Sequence, residues 1–283
     1  MSALPDFERA AALLRQADAL VIAAGAGIGI DSGLPDFRGN EGFWRAYPAL
    51  GRARLDFSEV ASPHTFGRDP ALAWGFYGHR LGLYRRTEPH AGFALLRDWA
   101  ARLPHGAFVF TSNVDGQFQR AGFPGDRVHE CHGSIHWLQC LRPCGDAVWP
   151  ADALRPDVDA EACQWRGPQP SCPDCGGLAR PNILMFGDGG WLGARYDAQA
   201  ERLAHWLAPV RRPLVVEIGA GTQVPSVRRF GRAVLRAADG ARLLRINPRE
   251  PQVERPQDLG LALGALQALR GIEAALQRQG GAG

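Results

Sequence analysis

An α/β fold built on a parallel sheet follows from three features of the sequence. Four apolar runs, "DALVIAA", "GAFVFTSN", "PLVVEIGAG" and "ARLLRIN", have the length of buried strands, and each ends in small or polar residues. Each run is preceded or followed by a stretch with helical rhythm. All six cysteines lie in one segment, 131–180, between the second and third runs, which marks a separate module.

In chain order, "DFERAAALLRQA" at 6–17 repeats its apolar residues at helical spacing, and "DALVIAA" then reads as the first strand. It runs into "AAGAGIGIDSGLPDFRGN", where Gly25, Gly27 and Gly29 fall within five positions. A turn without Cβ atoms lets backbone N–H groups approach a pyrophosphate, and a following helix N-terminus adds favourable partial charge. The dinucleotide fingerprint G-x-G-x-x-G fails here, however, because the sixth position is Ile30 counted from Gly25 and Ser32 counted from Gly27. The glycines alone therefore fit either a phosphate loop or a tightly packed corner. About 80 residues rich in Trp, Phe, Tyr and Gly follow, including "DPALAWGFYGHRLGLYRR", which reads as a helix despite its glycines. Strands are expected at 106–113, 213–221 and 241–247, and "LGLALGALQALRGIEAAL" reads as a packed amphipathic helix. Ligands of such sheets sit at the carboxyl ends of the strands, here Gly25–Gly29, Thr111–Asp115, Gly219–Thr222 and Asn247.

Composition narrows the function classes. The chain is 46% hydrophobic and 22% charged, which is ordinary for a globular protein. A net charge of +3 is too small to indicate nucleic acid or an anionic membrane as partner. All 32 basic residues are arginine, so there is no lysine side chain to be acylated. The apolar stretch "ALVIAAGAGIGI" is twelve residues long, short of the roughly 20 that span a bilayer. Asp6, Glu8 and Asp18 precede it instead of a basic leader, so a cytoplasmic location is expected.

Four of the cysteines form two pairs, "CLRPCG" (Cys140, Cys144) and "CPDCGG" (Cys172, Cys175). The second, followed by Gly176, has the form of a zinc knuckle, in which one tight turn presents two thiolates. The first is the same form with one more residue. Four protein ligands close the coordination sphere of zinc, so the expected role is structural. Cys131 reads as a small buried residue and Cys163 as incidental.

Taken in order, "GAGIGIDSGLPDFRG", "TSNVDGQFQRAG", "CHGS", the two cysteine pairs and "RPNILMFGD" resemble the motifs of the sirtuins, NAD-dependent protein lysine deacylases, over roughly residues 20 to 250. The resemblance implies a Rossmann-like NAD-binding domain (1–35, 96–130 and 181–283), a helical insertion with a cofactor loop (36–95) and a zinc-binding module (131–180). It implies that NAD is the co-substrate, that Zn2+ is structural and that acyl-lysine proteins are the partners. His132, in "CHGS", matches the catalytic base, which suits an imidazole titrating near neutral pH. Asn113 and Asp115 match the pair that positions ribose and carboxamide, and Ala26, Leu34 and Val114 match the apolar wall beside them. Phe37 matches the ring that shields the reacting centre from water, and Arg38 the arginine that orders the cofactor loop. Cofactor contacts are expected from Gly25, Ala26, Gly27, Asp36, Phe37, Arg38, Ser112, Asn113, Asp115, Gly219, Ala220, Gly221 and Asn247. His129 and His136 match no motif.

The chain departs from the family pattern in several places. Gly29 replaces a serine, Ser112 stands within "TSN" where the family has "TQN", and Phe118 replaces a histidine. Gly219-Ala220-Gly221 replaces "GTS", which removes hydroxyls but keeps backbone N–H donors. Tyr77 and Arg80, three apart on one helical face, resemble the Tyr-x-x-Arg pair of sirtuins that prefer negatively charged acyl groups. The same scaffold also admits a protein ADP-ribosyltransferase, an NAD hydrolase or a non-catalytic NAD-sensing zinc module.

Overall fold

The computed structural model describes residues 6–35 and 39–280. Its strands are β1 (Ala19–Ala24), β2 (Ala107–Thr111), β3 (Val128–Glu130), β4 (Gly133–Cys140), β5 (Val148–Pro150), β6 (Val158–Asp159), β7 (Gln164–Trp165), β8 (Ala179–Ile183), β9 (Pro213–Ile218), β10 (Arg242–Ile246) and β11 (Leu259–Leu261). Six of them form one parallel sheet in the order β11-β10-β9-β1-β2-β3. The chain order therefore reverses between β1 and β9, and a crevice is expected beyond the carboxyl ends of those two strands.

Both faces of the sheet are covered, which explains why β1 is apolar at every position. Leu20, Ile22 and Ala24 pack with Leu14, Phe93, Trp99 and Ile272 on one face. Val21 and Ala23 pack with Leu203, Val227 and Val234 on the other. The four expected strands are all present, but the sheet also contains β3 and β11, each only three residues long. The C-terminal expectation needs correction: Leu259–Leu261 pairs with Leu244–Ile246, and the helix begins at Ala265. Gly260 lies so close to the Pro251 carbonyl that a Cβ there would be 1.9 Å from the oxygen, a backbone approach suited to a sheet edge.

The helical segment and the cysteine-bearing segment share a second core. Phe43, Phe66, Trp74 and Phe76 pack with Ile135, Leu138, Cys163 and Trp165, and Trp74 Nε1 donates to the Ala179 carbonyl at 3.0 Å. Helix Pro70–Arg86 is buried on most of its surface, as an apolar helix without a polar face should be. Its glycines have a packing reason: a Cβ at Gly75 would lie 2.1 Å from the Cys163 carbonyl oxygen. Cys163 is therefore not incidental, since it is 2% exposed and forms the strand-side wall of this contact. Burial pushes the thiols of Cys131 and Cys163 up to about 12, so both remain protonated at neutral pH.

The cysteine pairs converge beside the small sheet β5-β4-β8. The Cys140 and Cys175 sulfurs are 3.7 Å apart, as are those of Cys144 and Cys172, and all four lie within 4.8 Å of one another. Zinc–sulfur bonds of about 2.3 Å in a tetrahedron give a sulfur–sulfur edge of roughly 3.8 Å, so the cluster fits zinc. The knuckle turn closes through Gly176, whose N–H donates to the Cys172 carbonyl at 2.9 Å and whose φ is +69°. Protein purified without chelators should contain one zinc per chain, and Cys172→Ala should lose it together with several degrees of Tm. Elemental analysis finding no zinc in the unmutated protein would rule the site out.

His129, on β3, is 2% exposed between the rings of Phe110 and Tyr196, and neither ring nitrogen has a hydrogen-bond partner among the described residues. Burial first, and Arg202 second, lower its pKa to about 4. The unfolded chain takes up this proton below about pH 6.5, whereas the folded chain resists it until about pH 4. Stability supplied by the neutral ring is therefore complete above pH 6.5 and lost as the pH falls toward 4. His129→Phe should flatten the fall of Tm across that window, and an unchanged slope in thermal melts would contradict the assignment.

Candidate active site

A cavity of about 680 Å³ opens at the expected crevice. One side is formed by the strand tips: Gly25 and Ala26 after β1, Ser112–Asp115 after β2, and Gly219–Val224 after β9. The other side is formed by Tyr77, Arg80 and Tyr84 of helix Pro70–Arg86 and by Ile183–Phe186 at and beyond the end of β8. Leu34, Val114 and His132 also line it.

The glycines join two turns. Gly25 N–H donates to the Ile218 carbonyl at 2.9 Å and Gly27 N–H to the Gly219 carbonyl at 3.1 Å. A Cβ on Gly25 would come within 2.8 Å of Ala220 Cα, and one on Gly219 within 2.5 Å of the Gly27 backbone. Gly219 also has a φ of +64°, which disfavours a side chain there. The corner is tightly packed, as one of the two readings of the glycines has it, and its bare backbone forms part of the cavity wall. The segment after Gly25 is a 3₁₀ helix, Ala26–Ser32, ended by Gly33 at φ +81°, instead of the α-helix of a dinucleotide fold. The pyrophosphate of NAD fits such a surface, because side chains that would fill the cradle are absent.

Asn113 and Asp115 are fixed by local bonds at the β2 tip. Asn113 Nδ2 donates to the Gly25 carbonyl at 3.2 Å, tying the two tips together. Asp115 accepts from Gln117 N–H at 2.9 Å. Burial raises its pKa to about 6, with Glu130 pushing the same way and the Gln117 N–H and Arg80 pulling down. His136, which matched no motif, braces this residue by donating from Nε2 to the Asp115 carbonyl at 2.9 Å.

His132 sits where β3 passes into β4. Its Nε2 lies 3.2 Å from Ser226 Oγ, the Ser112 backbone favours the protonated ring, and its own carbonyl accepts from Leu184 N–H. Burial lowers its pKa and the Ser112 contact partly offsets this, so the ring is neutral at pH 7 and can accept a proton.

Tyr77 and Arg80 both reach the cavity. Arg80 donates to Tyr84 Oη from Nε at 2.9 Å and from Nη2 at 2.7 Å, and its guanidinium lies 5.1 Å from the Phe76 ring centre and 5.8 Å from that of Tyr77. Two expected cofactor residues do not line the cavity: Gly27, whose N–H is bonded to the Gly219 carbonyl, and Asn247, which is 1% exposed. Asn247 Nδ2 donates to the Ala220 carbonyl, and its Oδ1 accepts from the N–H groups of Arg249 and Glu250. Asp36, Phe37 and Arg38 lie outside the described residues.

Other wall residues were not expected from local pattern. Leu184, Met185 and Phe186 belong to "RPNILMFGD", and a buried pair supports that turn: Arg180 meets Asp188 at 2.8 Å through both nitrogens, and Asp188 accepts from Met185 N–H. Thr222 donates to Glu250, and Arg228 bridges Glu250 to the Ala220 carbonyl. The four clustered cysteines do not line the cavity, in keeping with a structural metal.

Comparison with known proteins agrees with this geometry. The Sir2 family profile matches residues 25–205. The NAD-dependent protein deacylase 2 of Pyrobaculum aerophilum is 34% identical over 86% of this chain and 85% of its own length. The mitochondrial NAD-dependent protein deacylase sirtuin-5 of Canis lupus familiaris is 33% identical over 66% of this chain and 61% of its own. A solved structure of a Sir2 enzyme superposes with a TM-score of 0.70 at 26% identity, covering 97% of this chain and 98% of that one. Sequence, fold and site converge, and the chain belongs to the Sir2 family.

Proposed function

We propose that this chain is an NAD-dependent protein lysine deacylase whose acyl pocket favours groups ending in a carboxylate. The observation that carries the reading is that a single cavity holds the bare strand-tip turns, His132 and the Tyr77/Arg80 pair. NAD supplies the leaving nicotinamide and the acceptor ribose. The chain's own residues bind, orient and move a proton. The turns at Gly25–Ala26 and Gly219–Gly221 receive the pyrophosphate through the backbone of Ala26, Ala220 and Gly221, since the N–H groups of Gly25 and Gly219 are donated to the Ile218 and Ile246 carbonyls. Asn113 and Asp115 hold the nicotinamide end, in a place buried enough to keep Asp115 near half-protonation at about pH 6. His132, neutral at pH 7, accepts a proton from a ribose hydroxyl after the acyl oxygen has joined the sugar and nicotinamide has left. With one water consumed to release the lysine amine, the products on this reading are nicotinamide, O-acyl-ADP-ribose and free lysine.

His132→Ala should lower deacylation at least about 100-fold, the usual scale for a general base, while NAD affinity stays close to that of the unmutated chain. Near-full deacylation in that variant would remove His132 from the role. Nicotinamide release without any acyl peptide would favour the NAD hydrolase reading instead.

Acyl choice rests on Arg80. Arg80 is 7% exposed and its guanidinium is surrounded by aromatic rings, where a charge-assisted bond to a carboxylate counts for more than in water. Such a bond supplies roughly 10- to 100-fold selectivity. The ratio of kcat/KM on matched succinyl- and acetyl-lysine peptides should exceed one. In Arg80→Met it should collapse by at least about tenfold through loss of succinyl activity. An unchanged ratio in the variant would refute the assignment.

A further inference from the structure

We propose that Ser226 is a positioning residue for His132, an inference that rests on the reading of His132 as the base. The two residues are 94 positions apart, and the hydroxyl lies 3.2 Å from Nε2. Ser226 is the first residue of helix Ser226–Ala237, which is anchored to the cavity wall on its next two positions. Val227 is 1% exposed and lines the cavity, and Arg228 grips the Ala220 carbonyl and the Glu250 carboxylate. The hydroxyl is therefore held in place by the same turn that forms the cofactor wall.

The surroundings of the ring give this contact its weight. In a Ser-His-Asp triad a buried carboxylate orients the imidazole and stabilises its charged form. Among the described residues, the side chain that meets the His132 ring is Ser226, and no carboxylate does. When the hydroxyl is the donor, the proton of the neutral ring sits on the other nitrogen, Nδ1. The Ser226 hydroxyl donates to Nε2, and Nε2 is thereby kept as the nitrogen with the lone pair. The hydrogen bond at one nitrogen sets which tautomer the other presents.

In the free enzyme Ser226 thus holds Nε2 ready. A ribose hydroxyl replaces it as donor, its proton passes to Nε2, and the O–H electron pair stays on the ribose oxygen. A serine hydroxyl can then turn and accept from the new N–H, so it serves both charge states of the ring. Without Ser226 a neutral ring is free to rotate and to exchange tautomers. Steps that precede the proton transfer, including nicotinamide release and its reversal, should not depend on it.

The test compares Ser226→Ala, Ser226→Thr and His132→Ala in the full chain. Three rates or constants are measured: deacylation on an acyl-lysine peptide, exchange of labelled nicotinamide into NAD with that peptide, and NAD affinity. Ser226→Ala should slow deacylation roughly tenfold, the scale of one lost hydrogen bond, and leave exchange and NAD affinity within about twofold. Ser226→Thr, which restores a hydroxyl, should recover most of the loss. Nitrogen-15 NMR of the ring should show one tautomer in the unmutated chain and a mixture in Ser226→Ala. Unaltered deacylation in Ser226→Ala, or a parallel fall in exchange that threonine does not repair, would overturn the proposal. Full deacylation by His132→Ala would instead overturn the reading of the base itself, and so the two failures are distinguishable.

Discussion

The contact between the turn after β1 and the turn after β9 is the constraint on which the site depends. Gly25 and Gly27 lie against Gly219 and Ala220 backbone to backbone, with room for no Cβ on Gly25 or Gly219. This contact occurs where the strand order reverses, the place at which a parallel sheet opens a crevice. The remaining wall is arranged around it. Asn113 is tied to Gly25, Asn247 and Arg228 to Ala220, and Ser226 follows within the same connection. A side chain at Gly25 or Gly219 would separate the turns and disturb all of these together.

Burial then sets the chemistry. The second core, shared by the helical and cysteine-bearing segments, covers the crevice and lowers the local dielectric. The same cause moves two groups in opposite directions. The Asp115 carboxyl rises to about 6 and the His132 imidazole falls, because in each case the charged form loses water. The result is a neutral imidazole, a carboxyl titrating near 6 and the aromatic-lined Arg80 cation around one cavity. The zinc cluster contributes at one remove, by holding the small sheet whose β8 edge supplies Ile183 and the Leu184–Phe186 turn.

Much of this was legible in the sequence because it is local. Long apolar runs marked β1, β2, β9 and β10, and the cysteine spacing marked the metal cluster, since both signals lie within a few residues of chain. The strands β3 and β11 were hidden because three residues carry no periodicity, and β11 was absorbed into the helix that follows it. Asn247 sits at a strand tip, as expected, yet its side chain is used up in bracing Ala220 and Glu250. Ser226, Tyr84 and the Arg180–Asp188 pair became visible only once distant segments were brought together. The glycines of helix Pro70–Arg86 looked like weaknesses in the helix, and Gly75 turned out to be needed for the close approach of Cys163. Among the described residues no helix is long and apolar enough to cross a membrane, which agrees with the reading of the first apolar stretch.

The most direct test of the account is the product balance of one reaction, followed by mass spectrometry with NAD and a succinyl-lysine peptide. The account predicts that nicotinamide, free lysine peptide and O-succinyl-ADP-ribose appear in equal amounts, with no nicotinamide formed when the peptide is left out. Free ADP-ribose accumulating at the same rate with and without peptide would contradict it.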